Sequence, residues 1–420
     1  MLSVEHATNG SSGAPTNDSV HPRWVRETTA RPLDRRRLHA AKAAFTTRRI
    51  DLRSLFADTE PTLLSGAIRP RAGDLVLARV DRIGHHRKIE LTSGRRAGLH
   101  LGDEILVVYG DRYATDQFES HVPLKLGRTQ LVASGGIAST VLSRSGAVRR
   151  ATEINALGLV ADHLGMPINL SDFTIDRVEP TSERPPSIAV FGTAMNSGKT
   201  TTVQSLVRGV RLAGGKPGAT KVTGTGSGAD YWVMVDAGAH CVADFTDVGL
   251  ATTFRIPFQT IEANFVHLVN HLTNQGCSEI VIEVADGLFQ TETAQLIRSD
   301  AFRELVDGVI FAASDAMGAL AGSRHLLELD VPLLCVSGLL TRSPLAHREA
   351  AEFCNVPVIA TPALSDPDTA MMLMKGGDID LDRLERQVGR EFDDDDDADE
   401  LPPPAPAFDA NPLQPLGGLL

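Results

Sequence analysis

Gly198, Lys199 and Thr200 directly follow a tight turn, and a run of four apolar residues (188–191) precedes that turn. The whole stretch, residues 187–202, reads S-I-A-V-F-G-T-A-M-N-S-G-K-T-T-T. This order predicts a short buried strand, a glycine-bounded loop and the first turn of a helix. Such a loop is a phosphate cradle: its N–H groups and the helix N-terminus converge with partial positive charge on one hollow. Lys199 adds a full charge at the β/γ-phosphates, and the Thr200 hydroxyl is a ligand for Mg²⁺. The expected cradle is Gly192, Thr193, Ala194, Met195, Asn196, Ser197, Gly198, Lys199, Thr200 and Thr201. Its first glycine lies one residue earlier than G-x-x-x-x-G-K-[ST] requires, leaving Thr193 in the usual glycine position.

Two further segments supply charge. Glu283, in I-V-I-E-V-A-D-G, ends an apolar strand, where a carboxylate reaches Mg²⁺ directly or through water. Asp286 and Gly287 follow it. Lys221 ends the strand after the P-loop helix, in G-A-T-K-V-T-G-T-G-S-G-A-D, and residues 223–228 add hydroxyls and backbone N–H groups for an anion. Lys199, Lys221 and Glu283 are thus the expected catalytic residues, with Thr200 and Glu283 on the metal. Asp230, Asp236 and Asp244 compete as further ligands, and helix capping accounts for any of them equally well.

The loop G-T-A-M-N-S-G-K-T resembles the G-T-D-x-x-x-G-K-T loop of dithiobiotin synthetase and its SIMIBI-class relatives. It is also similar to the loop of the D-glutamate N-acetyltransferase-like P-loop family. In both groups the early glycine is normal, and Ala194 stands where they carry an acidic residue. Glu283 is similar to the start of the E-G-A-G-G stretch of dithiobiotin synthetase. Lys221 resembles the lysine that this family places over phosphates and substrate. The T-G-x-G run, Val235-Asp236-Ala237 and Ala243-Asp244-Phe245 are similar to the second family. The resemblance covers about half the chain, the C-terminal half. It implies ligase- or kinase-like activation of a small carboxylate- or hydroxyl-bearing substrate, with ATP and Mg²⁺ as cofactors. The second family alone implies acyl transfer from an acyl-coenzyme A. A nucleotide-operated switch or assembly factor is the other reading, with the N-terminal domain docking a protein partner. Without an N-K-x-D-like guanine reader, the loops at 314–318, 337–338 and 361–362 point to adenine.

These residues need a scaffold. Continuous apolar runs at 279–284, 308–313, 331–336 and 356–361 read as strands of a parallel sheet buried on both faces. Between them lie helical stripes, such as Val203, Leu206, Val207 and Val210, then Phe265, Leu268, Val269 and Leu272. The expected fold class is α/β, a doubly wound, mostly parallel P-loop domain at 187–376, with its ligand at the strands' carboxyl ends. Before it come an N-terminal arm (1–60) with a basic helix at 34–45, then a small β-barrel or sandwich (61–128) and a connecting α segment (129–180). Ser134-Gly135-Gly136 reads as a second anion-binding turn or as close packing. His85-His86 reads as an exposed basic turn. Arg112, Tyr113, Asp116 and Gln117 form a polar loop whose members are candidates to face a ligand. Residues 1–30 and 377–420 read as disordered.

With 420 residues and 42% hydrophobic content, more than one domain is expected. No membrane-length apolar run and no signal pattern occur, so a cytoplasmic location is expected. The four cysteines lack C-x-x-C spacing and read as free thiols. Of the net charge of −12, most sits in a tail (378–400) with twelve acids against three arginines. That balance argues against a nucleic-acid partner and leaves a small molecule, a homo-oligomer or a protein as partners.

Overall fold

The computed structural model describes residues 28–376; the expectations for 1–27 and 377–420 lie outside the described residues. The N-terminal half is built on strands β1 (Thr28–Pro32), β2 (Lys42–Ala43), β3 (Thr62–Gly66), β4 (Leu75–Arg82), β5 (Lys88–Glu90) and β6 (Arg96–Gly98). It continues with β7 (Glu104–Tyr109), β8 (Phe118–His121), β9 (Arg128–Ala133), β10 (Ile137–Arg144) and β11 (Thr152–Ala161). Five of these pair in a circle. β4 pairs with β7, β7 with β10, β10 with β9, β9 with β11, and β11 returns to β4. The circle is a small closed barrel, and closure gives every member two neighbours.

Of the barrel or sandwich expected at 61–128, the strand pairing forms a barrel, and its bounds differ. Residues 129–180 are not an α segment, because most of β9 and all of β10 and β11 lie there and complete the circle. The stretch A-T-E-I-N-A-L-G-L-V-A, rich in helix formers, becomes strand because β3, β4 and β9 all pair with it. Residues 28–60 are not a loose arm either. The helix there is short (Arg35–Ala40), and Leu33, Leu38, Ile50 and Phe56 are buried against Leu75, Leu77 and Leu106. Along β4, Val76 and Ala78 point the other way, into a second apolar cluster with Val107 and Leu131. Both faces of its first four residues are covered, which explains the apolar run Leu75-Val76-Leu77-Ala78.

The C-terminal half is a six-stranded parallel sheet: β12 (Ser187–Gly192), β13 (Pro217–Lys221), β14 (Cys241–Asp244), β15 (Glu279–Glu283), β16 (Gly308–Ala312) and β17 (Leu333–Ser337). The order is β14-β13-β15-β12-β16-β17. Alternate residues of β12 feed opposite clusters: Ala189 and Phe191 pack towards helix Phe258–Asn274, Ile188 and Val190 towards helix Lys199–Leu212. Helices thus cover both faces, as a doubly wound sheet requires. Helix Lys199–Leu212 opens with K-T-T-T-V, whose β-branched residues cost about 0.5 kcal/mol each relative to Ala. Burying Val203, Leu206, Val207 and Val210 completely contributes about 1.5–3 kcal/mol each, so packing decides the helix. The expected strand at 356–361 is not one. Pro357 has no N–H to donate, and only an isolated bridge between Val336 and Val358 forms.

The two halves meet along a tight seam. A Cβ added at Gly135 would lie 2.0 Å from the Gly226 carbonyl oxygen, so the turn at 134–136 needs glycine there for close packing. Arg48 crosses the seam to Asp244 and Asp247 and stacks on Phe45 and Tyr231, 4.4 and 4.5 Å from the ring centres. Glu90 of β5 accepts a 2.7 Å bond from the Gly228 N–H, at the N-terminus of helix Gly228–Asp236, where a carboxylate also complements the dipole.

Candidate functional site

The cradle follows β12 with the expected geometry. A Cβ on Gly192 would come within 2.2 Å of Ser197 Oγ, so only glycine lets the loop fold back over the strand end. Asn196 and Gly198 take φ values of 62° and 98°, and the helix begins at Lys199. Its first turn closes with the Thr202 N–H donating to the Gly198 carbonyl at 2.9 Å. The amides of Lys199, Thr200 and Thr201 precede that bond and have no helical acceptor, the arrangement that suits an anion. On the far side, the Leu339 N–H donates to the Ser197 carbonyl at 2.8 Å and pins the loop to the end of β17.

Lys199 turns back into its own loop, donating to the Ala194 carbonyl at 2.7 Å and the Asp286 carbonyl at 2.9 Å. Burial pulls its pKa down to about 8. The Thr200 hydroxyl donates to Glu283 Oε1 at 3.2 Å. Glu283 is 1% exposed, and its second oxygen, Oε2, has no hydrogen-bond partner among the described residues. Burial raises its pKa, and the neighbouring Lys221 opposes the rise. Lys221 pairs with Asp230 and lies 3.5 Å from Glu283 Oε1. Burial works to lower the pKa of Lys221, but the two carboxylates outweigh it and hold the ammonium above its ordinary range. Asp286 sits at φ 65° beside both lysines, and burial pushes its carboxyl up to about 6.

These groups line one side of a cavity of 620 Å³ between the two halves of the molecule. Met195, Asn196, Gly198, Lys199, Thr200, Thr201, Lys221 and Glu283 reach it. Of the other expected cradle residues, Thr193 is tied to β16 by a 3.0 Å bond from its N–H to the Ala312 carbonyl. Ala194 offers its carbonyl to Lys199, and Ser197 is fully buried with its hydroxyl unpartnered among the described residues. Among the three aspartates left open, Asp230 lines the cavity, Asp244 holds Arg48, and Asp236 is exposed. Thr361 does not reach the loop; it is buried in a hydroxyl cluster, 3.2 Å from both Ser337 and Thr341.

The opposite side of the cavity comes from the barrel, with Arg112, Gln117, His86, Glu90 and Ser134. Arg112 and Gln117 do face the hollow, while Tyr113 packs on Phe254 and Asp116 accepts a 3.0 Å bond from Asn196 of the cradle. His86 is half-buried rather than exposed, with Nε2 2.8 Å from the Val132 carbonyl. Arg96 and Arg342 also line the cavity and were not singled out in the sequence. Arg96 is the second of two adjacent arginines at the start of β6 and Arg342 ends the short turn after β17, and no spacing marks either of them.

Two oxygens suit Mg²⁺ here: the Thr200 hydroxyl and the unpartnered Glu283 Oε2. Among the described residues there is no group of three or more His, Cys, Asp and Glu placed to hold a metal. Mg²⁺ at a phosphate needs only one or two protein oxygens, so the pair fits.

Sheet order, cradle and helix define a P-loop α/β domain joined to a small β-barrel. No family model matches the chain, and no curated protein matches it. Among solved structures it is similar in part to signal recognition particle receptor FtsY from Elizabethkingia anophelis in complex with GDP, with a TM-score of 0.32 and 15% identity. That match covers 46% of this chain and 66% of the other. Chloroplast FtsY from Physcomitrella patens gives a TM-score of 0.32 and 14% identity, over 48% and 70% of the two chains. The chain spans about two thirds of the length of these structures. No helix among the described residues is long and apolar enough to cross a membrane.

Proposed function

We propose that this protein is a Mg²⁺-dependent P-loop enzyme that binds a nucleoside triphosphate, ATP on the sequence reading, and moves its γ-phosphoryl group towards a small substrate in the cavity. The observation that carries this reading is the buried Glu283 carboxylate beside Thr200, with one oxygen unpartnered and two lysines within reach. The first-turn amides and Lys199 would hold the phosphates, and Lys199 would leave the two carbonyls it now serves. Thr200 and Glu283 would hold Mg²⁺, which supplies charge neutralisation at the phosphate oxygens. Lys221, kept charged by Asp230, would balance the transferring group. Catalysis of this kind is positioning plus electrostatics.

The test is turnover and thermal shift with ATP, GTP and acetyl-coenzyme A, each with and without Mg²⁺. Mg²⁺ with ATP should raise the melting temperature and release phosphate, and Lys199→Ala should do neither. Stabilisation by acetyl-coenzyme A alone would favour acyl transfer instead. A switch NTPase is the second reading, and the Asn196–Asp116 bond favours it, because it couples the cradle to the barrel. A switch would hydrolyse slowly until a protein partner is added, whereas an enzyme would respond to a small acid.

A further inference from the structure

Arg112 is 5% exposed and lines the cavity from the barrel side. Its backbone is fixed: the Arg112 N–H donates to the Ser120 carbonyl at 2.9 Å, and the Ser120 N–H returns the bond at 3.0 Å. The guanidinium carries five donors. Gln117 Oε1 accepts one of them, from Nη2 at 3.0 Å. His86 Nε2 lies 3.4 Å from Nη1, yet that nitrogen is 2.8 Å from the Val132 carbonyl and must carry its own proton to bond there. It therefore offers Nη1 no acceptor. Nε is buried and unpartnered, and among the described residues no carboxylate lies within 4.0 Å of the group. Asp116 and Asp286 act on it only at longer range. The other barrel arginine in the cavity, Arg96, has its partner in Glu90 at 3.0 Å.

A buried cation without a counter-ion costs stability unless something else supplies the charge. A rigid fork of free donors, facing the same hollow as the P-loop, matches a planar carboxylate. We infer that Arg112, steadied by Gln117 and the Ser120 bridge, binds a carboxylate of the second substrate, across the cavity from the nucleotide's phosphates. This deepens the phosphoryl-transfer reading and rests on it for the word "second". The barrel is then the acceptor-binding domain. The substrate class narrows to small carboxylic acids, because 620 Å³ must also admit the terminal phosphates.

The experiment uses the full chain and two ligand series: acetate, malonate and succinate with malonamide as the neutral control, and Mg²⁺–ATP. Wild type, Arg112→Met and Lys199→Ala are compared by thermal shift and calorimetry. A carboxylate, and not malonamide, should stabilise wild type and Lys199→Ala. Arg112→Met should bind it at least about tenfold more weakly while keeping its response to Mg²⁺–ATP. Without ligand, Arg112→Met should melt no lower than wild type, since it removes an unpaired buried charge. The proposal is overturned if no carboxylate in the panel stabilises wild type, or if Arg112→Met responds equally. It is also overturned if that variant loses ATP instead, which would place Arg112 on the phosphate chain. Carboxylate binding through Arg112 in a protein indifferent to Mg²⁺–ATP would sink the P-loop reading and leave the anion site standing.

Discussion

The two walls of the cavity treat charge in opposite ways. On the P-loop side both lysines are answered. Lys221 sits between Asp230 and Glu283, and Lys199 rests on two carbonyls. On the barrel side Arg112 is met only by a neutral amide and an imidazole that has no lone pair to offer it. The two lysines of the first wall are balanced within it, so a ligand that takes them must displace existing partners. The second is incomplete, so a ligand there adds a partner that the fold lacks. Phosphate affinity should therefore be tempered by competition, and acceptor affinity should be won directly by charge.

The largest effect should come from unbalancing the first wall. Lys221→Met leaves Glu283 and Asp230 without their cation, and breaking a buried pair costs about 3–5 kcal/mol. Urea unfolding measures it; a loss below about 1 kcal/mol would mean this wall is not held by mutual charge. Next comes pH. Native Asp286 keeps its proton up to about pH 6, whereas an unfolded aspartate loses its own near pH 4. The folded state binds more protons in that window, so wild type should gain stability as pH falls from 7 to 4. Relative to Asp286→Asn the gain is up to about 3 kcal/mol, read by melting the two proteins in parallel. A flat difference would show that the carboxylate feels the lysines more than its burial.

Gly135→Ala tests whether the walls must stand this close. Its methyl would meet a carbonyl oxygen rather than a flexible side chain, and overpacking of that kind costs about 1–3 kcal/mol. The same variant should loosen both ligand responses; a normal melting temperature with unchanged binding would separate the seam from the site. The smallest effect belongs to Asn196→Gly, which keeps the left-handed backbone at φ 62°, removes one bond between cradle and barrel and should cost about 1 kcal/mol. If nucleotide and carboxylate binding still influence each other in that variant, the coupling runs elsewhere.

Much of the P-loop half was legible in the sequence. Continuous apolar runs mark buried parallel strands because neither face needs a polar residue, and the glycine-lysine-threonine turn has few other uses. Glu283 and Lys221 stood out because a charge at the end of such a run is costly without a purpose. The barrel was harder to read. β11 carries Ala, Leu and Glu, which favour helix, while its alternation of buried and half-buried positions over the first six residues emerges only when neighbouring strands set the faces. Arg112 was visible only as one member of a polar loop. Nothing local distinguishes an arginine bound for a cavity from one bound for water; its place depends on the bridge to Ser120 and on the second half of the molecule closing over it.

The circle of five strands fixes where novelty can enter. A ring cannot shift register at one strand without disturbing both neighbours, so the frame behind the acceptor wall resists change. Arg112 and Gln117 hang from the turn between β7 and β8, and His86 from the turn between β4 and β5. On the proposed function, exchanging those two short turns should change which carboxylic acid binds while the P-loop end stays as it is.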